Sequence, residues 1–225
     1  MCCANVTKGQ GMTMHIGTVS VVDAVADDVR RRLFGGELAG GTALTETEVA
    51  GSYDVARSTA KAAIEKLTGE GLLIRGAHKT ARVPVLSTDD VRDIYNTRLR
   101  LESQALRELA AARTVPGAAS AANTRVIATG NGPRLDSVEP DMQFHAALIS
   151  ALGSARLERM YESLIHEVRL CMAQVQGRSL IAVEQIAGEH DAILDAVAAG
   201  EATRAVELLS EHLGRARDRL ADALS

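Results

Sequence analysis

A chain of 225 residues, 46% hydrophobic and 24% charged, is long enough for one large or two modest domains, each with its own core. Aromatics are only 2% and alanine is abundant, which argues against a long β-sandwich and for a helical architecture. The net charge of -4 argues against a surface coated throughout with nucleic-acid contacts.

The average conceals a local basic footprint. Residues 57 to 82 hold six basic groups against two acidic ones, whereas residues 86 to 225 hold fifteen against twenty. One small module touching DNA would leave that imprint. No apolar run approaches the roughly 18 to 20 residues needed to span a bilayer, and the N-terminus lacks the basic-then-apolar pattern of a secretion signal, so a cytoplasmic protein is expected. Cys2, Cys3 and Cys171 form neither a disulfide framework nor a zinc-finger spacing.

In chain order, residues 1 to 19 show no periodicity and read as a disordered tail. From Ser20 the stripe Val22, Val25, Ala26, Val29, Leu33 predicts a helix, with Ser20 as N-cap, Asp23 completing a capping-box-like start, and Gly35-Gly36 ending it. Leu44 to Ala50 predicts a short helix capped by Thr45, with Gly51 to Asp54 as a turn. Ala60, Ala63, Ile64 and Leu67 then mark the buried face of a third helix whose other face carries Arg57, Ser58, Lys61 and Lys66. Arg57 and Lys61, four apart, stack at its N-terminal end, where a helix laid in the major groove presents side chains to base edges and phosphates. Leu72 to Ile74 and Ala81 to Val83 predict two short strands around a basic turn. Three helices and a hairpin within about 65 residues make a winged helix-turn-helix.

The run from Gly36 to Glu46, then Val49-Ala50, Val55-Ala56-Arg57, Ile64 to Leu67 and Glu70-Gly71-Leu72, resembles the GntR family of bacterial transcription regulators across residues 20 to 85. The resemblance implies DNA contacts from Arg57, Ser58 and Lys61 and from a wing tip at Gly76, His78 and Lys79, with a homodimer on a two-fold double-stranded operator. The chain departs from the family's pattern at Ala56, where Ser or Thr is usual. It departs again at Thr59 to Ala62, where Lys61 keeps a positive charge without a guanidinium fork.

Residues 84 to 87 read as an extended linker around Pro84. Ser87 then caps a long helix, Thr88 to about Arg113, striped by Val91, Ile94, Tyr95, Arg98, Leu101, Ala105 and Leu109. Further helices are expected from Pro116 to Thr129 and near 134 to 151, 154 to 176, 178 to 199 and 201 to 223. The expected fold is therefore mostly α, with a DNA-binding domain at 20 to 83 and an all-α domain at 88 to 225 for effector binding and dimerisation.

Four polar residues interrupt the apolar stripes of that second domain. Asp141 and His145 are four apart and lead into Leu148, Ile149 and Leu152; His190 lies between Ile186 and Ile193-Leu194; His212 sits among Leu208, Leu209 and Leu213. Three helices would thus aim one carboxylate and three imidazoles inward. A buried ionised Asp needs a compensating cation or proton, and a divalent metal satisfies all four groups. Zinc suits such donors best, with nickel, iron or manganese as alternatives. A lone core histidine is more often merely hydrogen-bonded, so a metal-free polar cluster and a metal-dependent enzyme remain alternatives. The enzyme lacks an inward general acid or base, because Glu189 is rotated about 100° from His190. His166 lies away from the expected Met160, Leu164, Val168, Cys171 stripe and stays outside the set.

Tyr95 to Glu102, Asp141 to His145, Glu189-His190 with Ile193, and His212-Leu213 also resemble the FCD effector domain of one GntR branch, across residues 87 to 220. The resemblance implies that the four residues bind a metal whose open positions receive a small organic acid, and that Arg98 clamps that acid. An ion pair with Glu102 is the structural alternative for Arg98.

Overall fold

The computed structural model describes residues 20–76, 80–130, 134–175 and 181–224. Among them the N-terminal part contains α1 (Val21–Phe34), β1 (Ala43–Leu44), α2 (Glu46–Tyr53), α3 (Arg57–Gly69), β2 (Ile74–Arg75) and β3 (Ala81–Arg82). Ser20 caps α1 as its sequence suggests, but no capping box forms: the Asp23 carboxylate turns instead to Lys66 Nζ on α3, 2.7 Å away. The box forms at α2, where Thr45 Oγ1 accepts from Glu48 N and Glu48 accepts from Thr45 N. That helix runs on through Gly51, Ser52 and Tyr53, which the spacing assigns to a turn, and stops at Asp54 with a left-handed backbone. After α3, Gly71 has φ +78°, a conformation that glycine adopts without a Cβ penalty, and this sends the chain into the wing.

The wing is a three-stranded antiparallel sheet in the order β1-β3-β2, pairing Ala43 with Arg82 and Ile74 with Arg82. The expected hairpin is present, its first strand starting two residues later and ending one residue later than expected, and β1 is an addition. Val25, Val29, Leu33, Ile64, Leu67 and Leu72 fill the core beneath it.

The second part comprises α4 (Thr88–Ala112), α5 (Gly117–Thr129), a 3-10 turn (Arg134–Ser137), α6 (Val138–Ser150), α7 (Ala155–Gln174), α8 (Val183–Ala199) and α9 (Ala202–Leu224). Ser87 and Asp90 form a full capping box at the start of α4. Helix α4 packs along α9 and also meets α6, α7 and α8, so its inward face lies at the centre of the bundle. The apolar stripe of α7 matches expectation at the buried Val168 and Cys171 but not in its first half, where Tyr161 and Ile165 are buried while Met160 is 67% exposed. Among the described residues, no helix is long and apolar enough to cross a membrane.

Helix α7 also faces α1 across the boundary between the two parts. Leu170 belongs to the N-terminal core, and His166, far from being a solvated residue, is buried against Phe34 with ring centroids 5.9 Å apart. The linker is held as well: Gln174 Nε2 donates to Pro84 O at 2.8 Å and its Oε1 accepts from Leu86 N at 3.4 Å.

Candidate metal and effector site

Asp141 and His145 project from α6, His190 from α8 and His212 from α9, all buried, with one ligand atom of each lying within 4.8 Å of the others. The four residues named from the sequence are therefore brought together. Within the cluster, His145 Nε2 is 3.2 Å from His212 Nε2 and 3.7 Å from Asp141 Oδ1, and His190 Nε2 is 3.2 Å from Asp141 Oδ1. Two donors each about 2.0–2.2 Å from one ion lie about 3–4 Å apart, so these separations suit a shared cation.

The imidazoles are aimed by their other nitrogens. His145 Nδ1 donates to Glu102 Oε2 at 2.6 Å, His212 Nδ1 to Glu189 Oε2 at 2.7 Å, and His190 Nδ1 to Asn123 Oδ1 at 3.0 Å. Asn123 is oriented in turn, since its Nδ2 donates to Ala187 O and Asp191 Oδ1. With all three Nδ1 protons committed, each Nε2 presents a lone pair to the centre, the arrangement that metal-binding histidines use. The facing Nε2 lone pairs of His145 and His212 repel at 3.2 Å unless a cation or proton stands between them. Neither Asp141 Oδ1 nor His190 Nε2 has a well-aligned hydrogen bond. The donor set and its orphaned atoms thus fit a divalent metal.

Electrostatics points the same way. Burial pushes the His145 imidazole down and His190 down to about 3, so both are neutral and ready to bind at neutral pH. Burial opposes ionisation of Asp141, but the surrounding imidazoles, His190 foremost, hold its carboxyl below the usual range. Glu102 is likewise penalised by burial, yet His145 and Arg98 pull it down to about 2.

Arg98 makes the ion pair with Glu102 that was weighed for it as the structural alternative. Its Nε donates to Glu102 Oε1 at 3.1 Å, and its Nη2 is buried with no hydrogen-bond partner among the described residues. Tyr161 Oη also donates to Glu102 Oε1, at 2.5 Å. Glu102, Asn123 and Tyr161 were not singled out as supports of the site, and Glu189 belongs to it through its neighbour's histidine. Arg98, Asp141 and His212 border a small cavity together with Tyr95.

On the N-terminal part, Arg57, Ser58 and Lys61 stand exposed on the first turns of α3. Arg57 is loosely tied to Glu46, Nε to Oε2 at 3.1 Å, and Lys61 to Glu65 at 3.8 Å. Both share a surface concavity with Arg75 and Thr80 of the wing. Gly76 begins the wing turn, its N donating to Thr80 O at 3.1 Å; His78 and Lys79 lie outside the described residues. Ala56 leaves the start of α3 without a side-chain cap.

Residues 93–215 match the FCD domain, and residues 21–83 match the bacterial regulatory proteins of the gntR family. The chain belongs to the GntR family. It is a transcriptional regulator with a DNA-binding winged helix followed by an FCD domain, and members of this family bind operator DNA rather than catalyse reactions. It is 28% identical over 210 residues to the HTH-type transcriptional regulator BphR of Paraburkholderia xenovorans (strain LB400), covering 86% of this chain and 82% of that one. A second relative, from Paenarthrobacter nicotinovorans, is named as a D-xylose utilization operon transcriptional repressor; it is 28% identical over 200 residues, with 86% of each chain covered. Among solved structures, a GntR regulator from Rhodococcus sp. RHA1 superposes with a TM-score of 0.76 at 22% identity, over 89% of this chain and 97% of the other. The E. coli protein McbR/YncC gives a TM-score of 0.73 at 17% identity, over 92% and 100%. Both share the fold.

Proposed function

We propose that this GntR regulator works as a homodimer on a two-fold operator, holds a divalent metal through Asp141, His145, His190 and His212, and changes its DNA affinity when a small carboxylic acid binds beside that metal. The observation that carries the reading is the convergence of three Nε2 atoms, each backed by its own Nδ1 acceptor, on a buried carboxylate. Zinc fits the donors best, with nickel, iron or manganese compatible with them. A bound metal would supply positive charge and an open position for an oxygen ligand; Arg98 would supply Nη2, which has no hydrogen-bond partner among the described residues.

Arg57, Ser58 and Lys61 would enter the major groove, and Gly76, His78 and Lys79 would follow the adjacent backbone. The ion pairs of Arg57 and Lys61 are exposed and weak, so exchange for DNA contacts costs little. Two such modules in one dimer meet two half-sites, and an acid that favours one spacing over the other shifts operator occupancy. The relative named as a probable repressor supports repression as the direction of control.

The test is a gel shift with the upstream region of the chain's own gene, on protein purified without chelator or immobilised nickel. Binding should fall steeply with salt, and Arg57→Ala should weaken it by about tenfold or more, the equivalent of about 1–3 kcal/mol. Absence of binding at low salt would remove the operator reading. Metal analysis of the same preparation should give about one equivalent per chain, whereas less than about one-tenth would favour a metal-free polar cluster.

A further inference from the structure

The cavity beside the ligand cluster has a polar part formed by Tyr95, Arg98, Ser137, Asp141 and His212, and an apolar part formed chiefly by Val138, Met172, Ile181, Ile186 and Leu220. Among the described residues two of its donors have no hydrogen-bond partner, Arg98 Nη2 and Tyr95 Oη, and both are buried. Leaving buried donors unsatisfied is costly, and a bound acceptor would recover that cost. Arg98 also lies over the Tyr95 ring, its Cζ 5.0 Å from the centroid, so the two donors are held side by side.

We propose that this cavity takes a monocarboxylate with a short apolar body, its carboxylate met by Arg98 Nη2 and Tyr95 Oη and its hydrocarbon part lying on Val138, Met172, Ile181, Ile186 and Leu220. The inference rests on the reading of this site as a metal and carboxylate centre, and it adds Tyr95 as a binding residue and the chemical class of the acid.

The lining selects one carboxylate over two. The unpaired donors, Arg98 Nη2 and Tyr95 Oη, stand side by side, and a second carboxylate at the other end of the ligand would be buried on Val138, Met172, Ile181, Ile186 and Leu220 with no donor among these side chains, which is costly. A polyhydroxy acid would press hydroxyls onto isoleucine, leucine and methionine side chains, where they find no partners. The cavity measures about 30 Å³, where a single water needs about 10–15 Å³, so short bodies are favoured over long ones.

Calorimetric titration of the full-length, zinc-loaded protein with acetate, propionate, butyrate, succinate and gluconate tests this. Affinity should rise about fourfold for each added methylene from acetate to butyrate, the equivalent of about 0.8 kcal/mol per buried CH₂. Succinate and gluconate should bind at least about tenfold more weakly than butyrate, the equivalent of about 1.4 kcal/mol. Succinate or gluconate binding as tightly as butyrate, or a flat series from acetate to butyrate, would overturn the apolar monocarboxylate while sparing the broader carboxylate reading. If none of the five acids binds a protein that zinc has demonstrably stabilised, both readings fall together. Tyr95→Phe removes only the hydroxyl: butyrate should bind severalfold more weakly while the Tm of the acid-free protein is not lowered. Unchanged affinity would strike Tyr95 from the site.

Discussion

The ligand imidazoles owe their aim to residues on helices other than their own. His145 leans on Glu102 of α4, His190 on Asn123 of α5, and His212 of α9 on Glu189 of α8. Of these supports Glu189 gives the cleanest experiment, because it is only partly buried and its other partner, Arg215, reaches solvent. Glu189→Ala should fold and yet bind zinc about 10–100-fold more weakly in competition with a chromophoric chelator; undiminished affinity would mean that the contact with His212 has no part in metal binding. Glu102 is a harsher choice, since its removal strands the buried Arg98. The four clustered side chains were legible in the sequence because each breaks an apolar stripe, and a stripe is a property of one helix. Their supports were not, because which helix lies beside which is set by packing. Glu189 was correctly placed a hundred degrees from His190, and that offset is what delivers it to His212.

Helix α7 is buried on two sides, which explains why its stripe misled. Tyr161 faces Glu102, and Ile165 and Val168 face the bundle, while His166 and Leu170 face α1 and the winged-helix core. A period fitted to one face places Met160 inside and His166 outside; the structure reverses both. The two-residue strand Ala43–Leu44 escaped for a simpler reason, being too short to show alternation. Other features were readable directly from local chemistry, including the caps at Thr45 and Ser87 and the buried faces of α1 and α3. Because α7 supplies Leu170, 1% exposed, to the neighbouring domain's core, Leu170→Ala should destabilise the chain by about 2–5 kcal/mol, seen as a lower urea midpoint. Zinc affinity should be preserved, since Leu170 does not touch the ligands; a parallel loss of both would show that the seam and the metal site melt as one.

For the molecule as a whole, the buried imidazoles make stability depend on pH. His190 is held by burial at about 3 against an ordinary 6.5, and His145 is shifted in the same direction. Between those two values the unfolded chain accepts a proton that the folded chain refuses, so stability is lost as pH falls through 6.5 towards 3 and is unaffected by this group above that range. Chelator-treated protein should therefore melt at progressively lower temperature as pH is reduced from about 7 to about 5; a flat profile would mean that these imidazoles are already protonated in the native fold. The clasp of Gln174 on Pro84 and Leu86 bears on a different matter. It makes the connection between the winged helix and the helical bundle a strut rather than a loose tether. In the proposed homodimer each DNA-reading head would thereby be confined to a narrow arc, so that once one head had docked the other would search a small volume for its own half of the operator. A few glycines inserted beside Val85 would enlarge that volume and dilute the second head, eroding avidity while every base and phosphate contact stayed intact.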